Sequence, residues 1–266
     1  MIKSKYSMDQ KKELSPLKQF LRSRESMNKM RDETVTIFSI VRMNCSSQNA
    51  LKRAMERSPP APKEFAATST VRIATAEDHS VLLELINSAF YEHNWYKKEN
   101  CKHRVTPETL RDYMANQSNF YLLMENIGAD QKSVPLACVY VRMENDDRFK
   151  WQQHPGIMMF SIDPFYKHRG LGKYIFQLAS ECIGSLFYSN RARKEEDRFD
   201  SDIDLASESG IIQIEVTELN DHLVQMYQKW GFVIDRIWSA QEYGLKLEDL
   251  EIETRIVILH RSIKGI

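Results

Sequence analysis

The sequence lacks the features that would assign it to several common classes of protein. Its 37 basic and 37 acidic side chains leave no net charge at pH 7, so no overall field attracts nucleic acid or an anionic membrane. No run of about 18 apolar residues is present, and we therefore expect no transmembrane helix. The four cysteines include no Cys-x-x-Cys pair and show no metal-ligand spacing with histidine. These absences predict reduced, buried thiols in an intracellular protein that binds no metal, nucleic acid or membrane.

Two segments differ in composition from the rest of the 266-residue chain. Residues 1–70 are rich in Lys, Arg, Ser and Met, and they show no apolar face apart from a patch at residues 35–43. We predict a largely disordered N-terminal extension that is dispensable for activity, with docking of the patch on the folded domain as the alternative. Residues 190–210 form a charged run, and this composition predicts a flexible insertion.

The N-terminal extension leaves two alternatives for where the protein works in the cell. Its apolar patch is short and lies far from the first residue, so it does not fit a signal peptide. Lys52, Arg53 and Arg57, with serines nearby, resemble part of a mitochondrial presequence, which would require the chain to begin at Met30 or Met43. We expect a cytoplasmic protein, with a mitochondrial one as the alternative.

The stretch from Gly156 to Phe176 carries the main functional signal of the sequence. Residues 157–162 form a short apolar run that predicts a buried strand, which Pro164 ends because proline cannot donate to a neighbouring strand. A turn rich in glycine and basic residues follows at residues 167–173. Apolar residues at helical spacing then predict a helix: Leu171, Ile175, Leu178, Cys182 and Leu186.

This order of strand, turn and helix predicts a binding site for phosphate. The start of a helix leaves backbone N–H groups unpaired and carries the positive end of the helix dipole. Gly170 and Gly172 let the backbone approach an anion, while Arg169 and Lys173 add positive charge. The spacing of the nucleotide-triphosphate loop is absent, and Ile175 occupies the third glycine position of the dinucleotide fingerprint.

The basic-x-x-Gly-x-Gly turn at residues 167–172 is similar to the coenzyme A turn of the GNAT superfamily of acyl-CoA-dependent N-acyltransferases. A second segment of the chain resembles the same family. It contains a buried strand at residues 211–216 and the predicted helix cap Asn220. Tyr227 lies on the apolar face of the helix, and Gly231 is placed to end it.

The rest of the chain follows the element order of that family, so the resemblance covers residues 71–266. Its further predicted elements are strands at residues 71–75, 120–124, 136–143 and 232–237, and helices that begin at the capping box of Thr75 and Asp78 and at Thr106-Pro107. The resemblance implies an α/β (α+β) fold in which helices flank both faces of a mixed, mostly antiparallel central sheet. That sheet is expected to splay between the strands at residues 157–162 and 211–216.

The resemblance also implies a reaction, the transfer of the acetyl group of acetyl-CoA to a primary amine by direct attack in a ternary complex. The amide of Ile162 would polarise the thioester carbonyl, and Tyr227 would give a proton to the departing sulfur. The binding residues that it implies for acetyl-CoA, with no metal, are Phe160, Ser161, Ile162, Lys167, His168, Arg169, Gly170, Leu171, Gly172, Lys173, Asn220 and Tyr227.

The sequence leaves the general base and the amine acceptor open. The candidates for the base are Glu144, Asp163, Glu215 and Glu218, with Glu92 and His154 as further candidates. In the family, the segments equivalent to residues 91–95 and 104–113 line the acceptor pocket, which takes a small amine, an amino acid or a peptide N-terminus. A non-catalytic acyl-CoA-binding or sensing protein of the same fold is the alternative function, and the chain is expected to be a monomer or a homodimer.

Overall fold

The computed structural model describes residues 46–116, 118–127, 132–143, 154–196 and 210–263, the last seven residues of the fourth range by their backbone alone. The strands are β1 Ser69–Ile73, β2 Phe120–Ile127, β3 Ser133–Arg142, β4 Gly156–Ile162, β5 Ile211–Thr217, β6 Val233–Ser239 and β7 Arg255–Ser262. The helices are α1 at residues 46–57, α2 His79–Tyr91, α3 Pro107–Ala115, α4 Leu171–Glu196 and α5 Asp221–Lys229.

The seven strands form one mixed sheet in the order β1-β2-β3-β4-β5-β7-β6. Five of the six neighbouring pairs are antiparallel, and β4 and β5 alone run parallel. This arrangement confirms the mixed, mostly antiparallel sheet that the sequence resemblance implied.

Helices cover both faces of the sheet because successive residues of a strand point to opposite faces. In β2, Leu122 and Met124 belong to the same core as α4, whereas Tyr121 and Leu123 belong to the core that contains α2. All five helix-spaced residues from Leu171 to Leu186 are buried, as their spacing predicted. Leucine and isoleucine side chains in such positions each stabilise the fold by about 1.5–3 kcal/mol.

The predicted helix starts are confirmed at α2 and α3. Thr75 and Asp78 form the expected capping box, which opens a 3-10 turn that runs into α2. Arg72 of β1 holds the Asp78 carboxylate at 2.7 Å and so ties this cap to the sheet. At α3, the Thr106 hydroxyl accepts a hydrogen bond from the Thr109 amide.

The predicted boundaries of both unusual segments need correction. Residues 46–57 form α1, whose buried face inserts into the core beneath α4, so this part of the chain is not a disordered extension. Its buried residues, together with one that follows the helix, are Ala50, Leu51, Ala54 and Phe65. Helix α4 continues to Glu196, well beyond the predicted start of the insertion at residue 190. The apolar patch at residues 35–43 and the stretch 197–209 lie outside the described residues.

The sheet splays between β4 and β5, as the sequence resemblance implied. A single residue pair, Gly156 with Gln213, joins the two strands. By contrast, β5 pairs with β7 along its whole length from Ile211 to Thr217. The two central strands therefore separate toward their carboxyl ends and leave a gap between them.

The remaining expectations from composition concern thiols, membranes and metals. Cys138 and Cys182 are buried, unpaired thiols, as expected, while Cys101 is half-buried. Within the described ranges, none of the helices combines the length and apolar character needed to span a bilayer. Nor do those ranges bring three or more His, Cys, Asp or Glu side chains together in a way that could hold a metal ion.

Candidate active site

A β-bulge interrupts β4 just before its carboxyl end. Met159 has a left-handed φ of +47°. On either side of it, Ser161 pairs with Cys138 of β3, and Met158 pairs with Tyr140. Two residues of β4 therefore face one residue of β3, and such bulges redirect the backbone of the strand that contains them.

Beyond the bulge, the backbone amide of Ile162 faces the gap. The amide of the next residue, Asp163, donates to the carbonyl oxygen of Leu136 in β3 at 2.9 Å. Because successive amides of a strand point to opposite edges, the Ile162 N–H points away from β3 and toward β5. The Ser161 side chain is buried and its hydroxyl donates to the Met159 carbonyl at 3.1 Å. The Ser161 backbone pairs with Cys138 of β3, so its amide points away from the gap.

The predicted turn between β4 and α4 is present, and its backbone is unusual. The Asp163 carboxylate accepts a hydrogen bond from the Phe165 amide and so fixes the 3-10 turn that ends β4. His168 and Gly170 then adopt left-handed φ values of +64° and +84°. A non-glycine residue with such a φ is uncommon. Together these residues turn the chain sharply enough for α4 to begin at Leu171.

Gly172 lets the first turn of α4 lie directly against β4. A Cβ atom at this position would lie 2.8 Å from Cδ1 of Ile162 and 3.2 Å from Cζ of Phe160. Contacts this short force neighbouring side chains to move. The glycine therefore sets how closely the helix N-terminus approaches the residues at the end of β4.

The basic side chains of the turn are engaged by neighbouring segments. Lys167 Nζ lies 2.9 Å from the carboxylate of Glu92. Glu92 belongs to the loop that follows α2. Arg169 lies 3.6 Å from the carboxylate of Glu64 and stacks over the ring of Phe165 at 5.2 Å. The segment that contains Glu64 therefore contacts the turn. The composition of residues 1–70 did not predict this contact. Lys173 is exposed on the first turn of α4.

Asn220 lies at the start of α5 but does not cap it as predicted. A 3-10 turn occupies residues 218–220, and the Asn220 side chain makes no capping hydrogen bond. Its amide nitrogen instead donates to the carbonyl oxygen of His93 at 3.2 Å. The side chain therefore links the carboxyl end of β5 to the loop after α2.

The predicted end of α5 is confirmed in detail. Gly231 has a φ of +87°. The Phe232 amide donates to the Tyr227 carbonyl at 3.1 Å, and the Gly231 amide donates to the Gln228 carbonyl at 3.0 Å. These two bonds form a Schellman motif, which fixes the orientation of the last helical turn.

The phenol of Tyr227 is buried on the inner face of α5. Its ring packs 5.7 Å from that of Phe176 and 5.6 Å from that of Trp230. Within the described part of the chain, no group accepts or donates a hydrogen bond to its hydroxyl. Burial raises the pKa of Tyr227 above its ordinary value, so the hydroxyl stays protonated across the neutral range. The Tyr227 hydroxyl is therefore available to donate a hydrogen bond to a ligand.

Most of the carboxylates proposed as general bases already have partners. Each of three accepts a hydrogen bond from a neighbouring group: Asp163 from the Phe165 amide, Glu92 from Lys167 and Glu218 from Arg255. His154 lies edge-on to the ring of His260, and burial lowers the pKa of His154. Glu144 lies outside the described residues.

Glu215 is buried on the sheet face that α2 and α3 cover. One of its oxygens lies 3.5 Å from Nη1 of Arg142 and accepts from Gln213 at 2.8 Å. The other accepts from the hydroxyl of Tyr243, which lies in the loop between β6 and β7. Three neighbouring donors thus surround this carboxylate beside the gap and fix its position.

Two histidines stand at the wide end of the gap: His93, from the segment expected to line the acceptor pocket, and His222, which the sequence analysis did not single out. The rings of His93 and His222 stack with centroids 5.8 Å apart. Burial lowers the pKa of His93, and the charges of Lys167 and His222 lower it further, while Glu92 opposes them. A neutral imidazole at pH 7 can accept a proton. No spacing in the sequence could have joined these residues, because His93 lies in the turn after α2 and His222 at the start of α5, far apart in the chain.

Comparisons with known proteins identify the fold. No protein-family model matches the sequence, and no curated protein matches it significantly. Among solved structures, a protein provisionally named a phosphinothricin N-acetyltransferase covers 74% of this chain and 99% of its own, with a TM-score of 0.50 and 14% identity. At this identity the similarity establishes the fold alone.

Two further solved structures are similar at lower scores. A GNAT-family acetyltransferase from Streptococcus pneumoniae covers 73% of this chain and 98% of its own, with a TM-score of 0.46 and 17% identity. A spermidine N-acetyltransferase from Vibrio cholerae, solved with CoA and spermine, covers 74% and 97%, with a TM-score of 0.44 and 13% identity. The chain has the GNAT acetyltransferase fold that the sequence resemblance implied.

Proposed function

We propose that this protein is an acetyl-CoA-dependent N-acetyltransferase that acylates a primary amine by direct attack in a ternary complex. The observation that carries the proposal is the gap between β4 and β5, which opens beyond the pair of Gly156 and Gln213. The glycine turn lies at the carboxyl end of β4, beside the wide end of this gap. A ligand with a narrow chain at one end and a pyrophosphate at the other fits this site, because the chain can enter the gap while the pyrophosphate binds the turn.

The turn and the start of α4 would hold the pyrophosphate. Amides at a helix N-terminus bind phosphate, and the charge of Arg169 would add to that attraction. Gly172 supports this assignment, because a side chain there would collide with Ile162 and Phe160 and so disturb the start of the helix that carries these amides. Arg169 would have to exchange its contact with Glu64 for the phosphate.

The residues at the end of β4 would bind the thioester. The Ile162 amide, which faces the gap, would donate to the carbonyl oxygen and stabilise the negative charge that grows there. The amine nitrogen attacks the carbonyl carbon, the C–S bond breaks and an amide forms. Tyr227 would then give its proton to the thiolate, since its hydroxyl is protonated and has no other partner.

His93 is the proton acceptor that we propose for the attacking amine. An amine of ordinary pKa, about 10.4 for a lysine side chain, must lose a proton before it can attack. Among the candidates at the wide end of the gap, the carboxylate of Glu92 is already paired with Lys167, whereas the imidazole of His93 is neutral near pH 7. Asn220 would hold the loop that carries His93 in place.

One experiment separates this proposal from an acyl-CoA-binding protein without turnover. Calorimetry measures the binding of acetyl-CoA, and a thiol assay then follows CoA release with a panel of amines, amino acids and peptides. We expect binding and amine-dependent release. Tight binding with no release for any acceptor would favour the sensing role, and an absence of binding would reject both functions.

A further inference from the structure

The guanidinium of Arg169 is held at the glycine turn by three neighbouring side chains. Its Cζ lies 5.2 Å from the ring centroid of Phe165 and 5.4 Å from that of Tyr166. Its Nη1 lies 3.6 Å from a carboxylate oxygen of Glu64. The two rings keep the cation beside the turn, and Glu64 therefore sets a negative charge beside the place that the proposed function assigns to pyrophosphate.

The backbone around Glu64 is fixed by hydrogen bonds. The amides of Phe65 and Ala66 donate to the Pro62 carbonyl at 2.8 and 3.0 Å, and these bonds close a tight turn that contains Glu64. The Phe65 carbonyl accepts from the Ser69 amide at 2.8 Å, which joins the segment to the start of β1. Glu64 thus belongs to a loop of defined conformation.

Apolar contacts hold this loop against the glycine turn. Phe65 is buried, and its ring packs edge-on against that of Tyr166 with the centroids 6.1 Å apart. A Cβ atom at Gly170 would lie 3.4 Å from Cγ of Pro62, so the proline ring borders the backbone of the turn. The buried face of α1 anchors the chain just before the loop. The Glu64 carboxylate is therefore tethered close to Arg169.

The ion pair lies at the surface, so a stronger anion can displace the carboxylate. The side chains of Arg169 and Glu64 are 36% and 48% exposed. Exposed ion pairs stabilise a protein only slightly, because water screens their charges. A pyrophosphate carries more negative charge and also binds the backbone amides of the helix start. Glu64 therefore competes with pyrophosphate without excluding it.

We infer that Glu64 is a built-in competitor of the cofactor, tethered so that its carboxylate pairs with Arg169 where a phosphate would otherwise bind. This inference rests on the proposed acetyltransferase function. Binding of the cofactor breaks the ion pair, and the fixed loop keeps the released carboxylate close enough to repel the phosphates. Both effects lower the affinity for CoA, and both act only on the end of the cofactor that carries phosphate.

Removal of the Glu64 charge tests the competition. Calorimetry measures the affinity for CoA of the wild type and of Glu64→Gln, with Glu77→Gln, at an exposed position before α2, as the control. Glu64→Gln should bind CoA about two- to fivefold more tightly, the effect of one exposed ion pair, whereas the control should match the wild type. S-acetylpantetheine, which has no phosphate, should bind all of these proteins equally. Unchanged or weaker CoA binding in Glu64→Gln, or an equal gain for S-acetylpantetheine, would overturn the inference.

Inorganic pyrophosphate tests the competitor without an enzyme reaction. It should bind Glu64→Gln more tightly than the wild type, and the difference should shrink as the ionic strength rises from about 0.1 to about 1 M, because salt screens exposed charges. A gain for pyrophosphate in a protein that releases no CoA from acetyl-CoA would keep the competitor and reject the enzyme. Turnover with the same pyrophosphate affinity in both proteins would keep the enzyme and reject the competitor.

Discussion

Arg142 reaches Glu215 by passing over the bare α-carbon of Gly156. A Cβ atom at Gly156 would lie 2.9 Å from Nη2 of Arg142, so only glycine leaves room for the side chain. The same Nη2 donates to the carbonyl oxygen of His154 at 3.0 Å, and both members of the ion pair are buried. The contact connects β3 to β5 across β4, at the point where β4 and β5 begin to separate.

Removal of one member of this pair should cost much stability. Glu215→Gln leaves a buried guanidinium without its counter-charge, for which about 3–5 kcal/mol of unfolding free energy is expected. Urea denaturation measures the loss, with Glu218→Gln, in a more exposed pair with Arg255, as the control at about 1 kcal/mol or less. A loss below that of the control would mean that Arg142 finds another partner.

Gly172→Val should weaken the binding of CoA while the protein stays folded. The new side chain would enter the space now occupied by Cδ1 of Ile162 and by the ring of Phe160. Calorimetric affinity for CoA should fall by about tenfold or more, since one displaced phosphate contact is worth on the order of 1.5–3 kcal/mol. Gly184→Ala, within α4 but away from the turn, is the matched control. Unchanged affinity in the valine variant would place the pyrophosphate elsewhere.

Tyr227→Phe should separate binding from chemistry. The ring remains packed against Phe176 and Trp230, and only the hydroxyl is lost. Affinity for acetyl-CoA should hardly change, because the hydroxyl acts only as negative charge grows on sulfur. Both kcat and kcat/KM should fall by roughly 10²–10⁴-fold. A folded variant with wild-type kcat, under conditions in which chemistry limits the rate, would assign the proton to water.

His93 should set the acidic limb of the pH–rate profile. Its pKa lies below the ordinary value of 6.5, so the neutral, accepting form persists to lower pH, and the rate should fall only below about pH 6.5. His93→Gln should reduce kcat by on the order of 10²–10⁴-fold and remove that limb. His103, an exposed histidine nearby in the chain, provides the control substitution. An acidic limb that survives in His93→Gln would exclude this residue as the proton acceptor.

Deletion of α1 should destabilise the protein, contrary to the expectation from composition. A chain that begins at Pro62 lacks the helix that buries Ala50, Leu51 and Ala54. Loss of the Leu51 contact alone should lower the free energy of unfolding by about 1.5–3 kcal/mol. Thermal and urea denaturation would be compared with a chain that begins at Asn44. Equal stability of the two chains would restore the view that α1 is dispensable.

Local patterns in the sequence were enough to predict much of the fold. The capping box at Thr75 and Asp78, the glycine turn before α4 and the Schellman end at Gly231 each depend on residues close together in the chain. Their geometry follows from hydrogen bonds that form within a few residues, so spacing alone predicts it. The splay of the sheet came from the family resemblance, since composition carries no signal for it.

Other features could not be predicted because they join distant or weakly patterned segments. The face of α1 contributes two alanines and one leucine to the core, which is too little apolar character to stand out among lysines and serines. Arg142 and Glu215 are 73 residues apart. Asn220 is a residue type that commonly caps helices, but its side chain instead forms a hydrogen bond with the distant His93 carbonyl.

The single backbone pair between Gly156 and Gln213 divides the sheet into two mechanically distinct halves. Strands β1 to β4 form one continuous hydrogen-bonded unit, and β5, β7 and β6 form another. Beyond this pair, the ion pair of Arg142 with Glu215 joins the two halves through side chains. The width of the opening is therefore set by side-chain contacts and by the packing of the helices, since no further backbone pair spans it in the described part of the sheet.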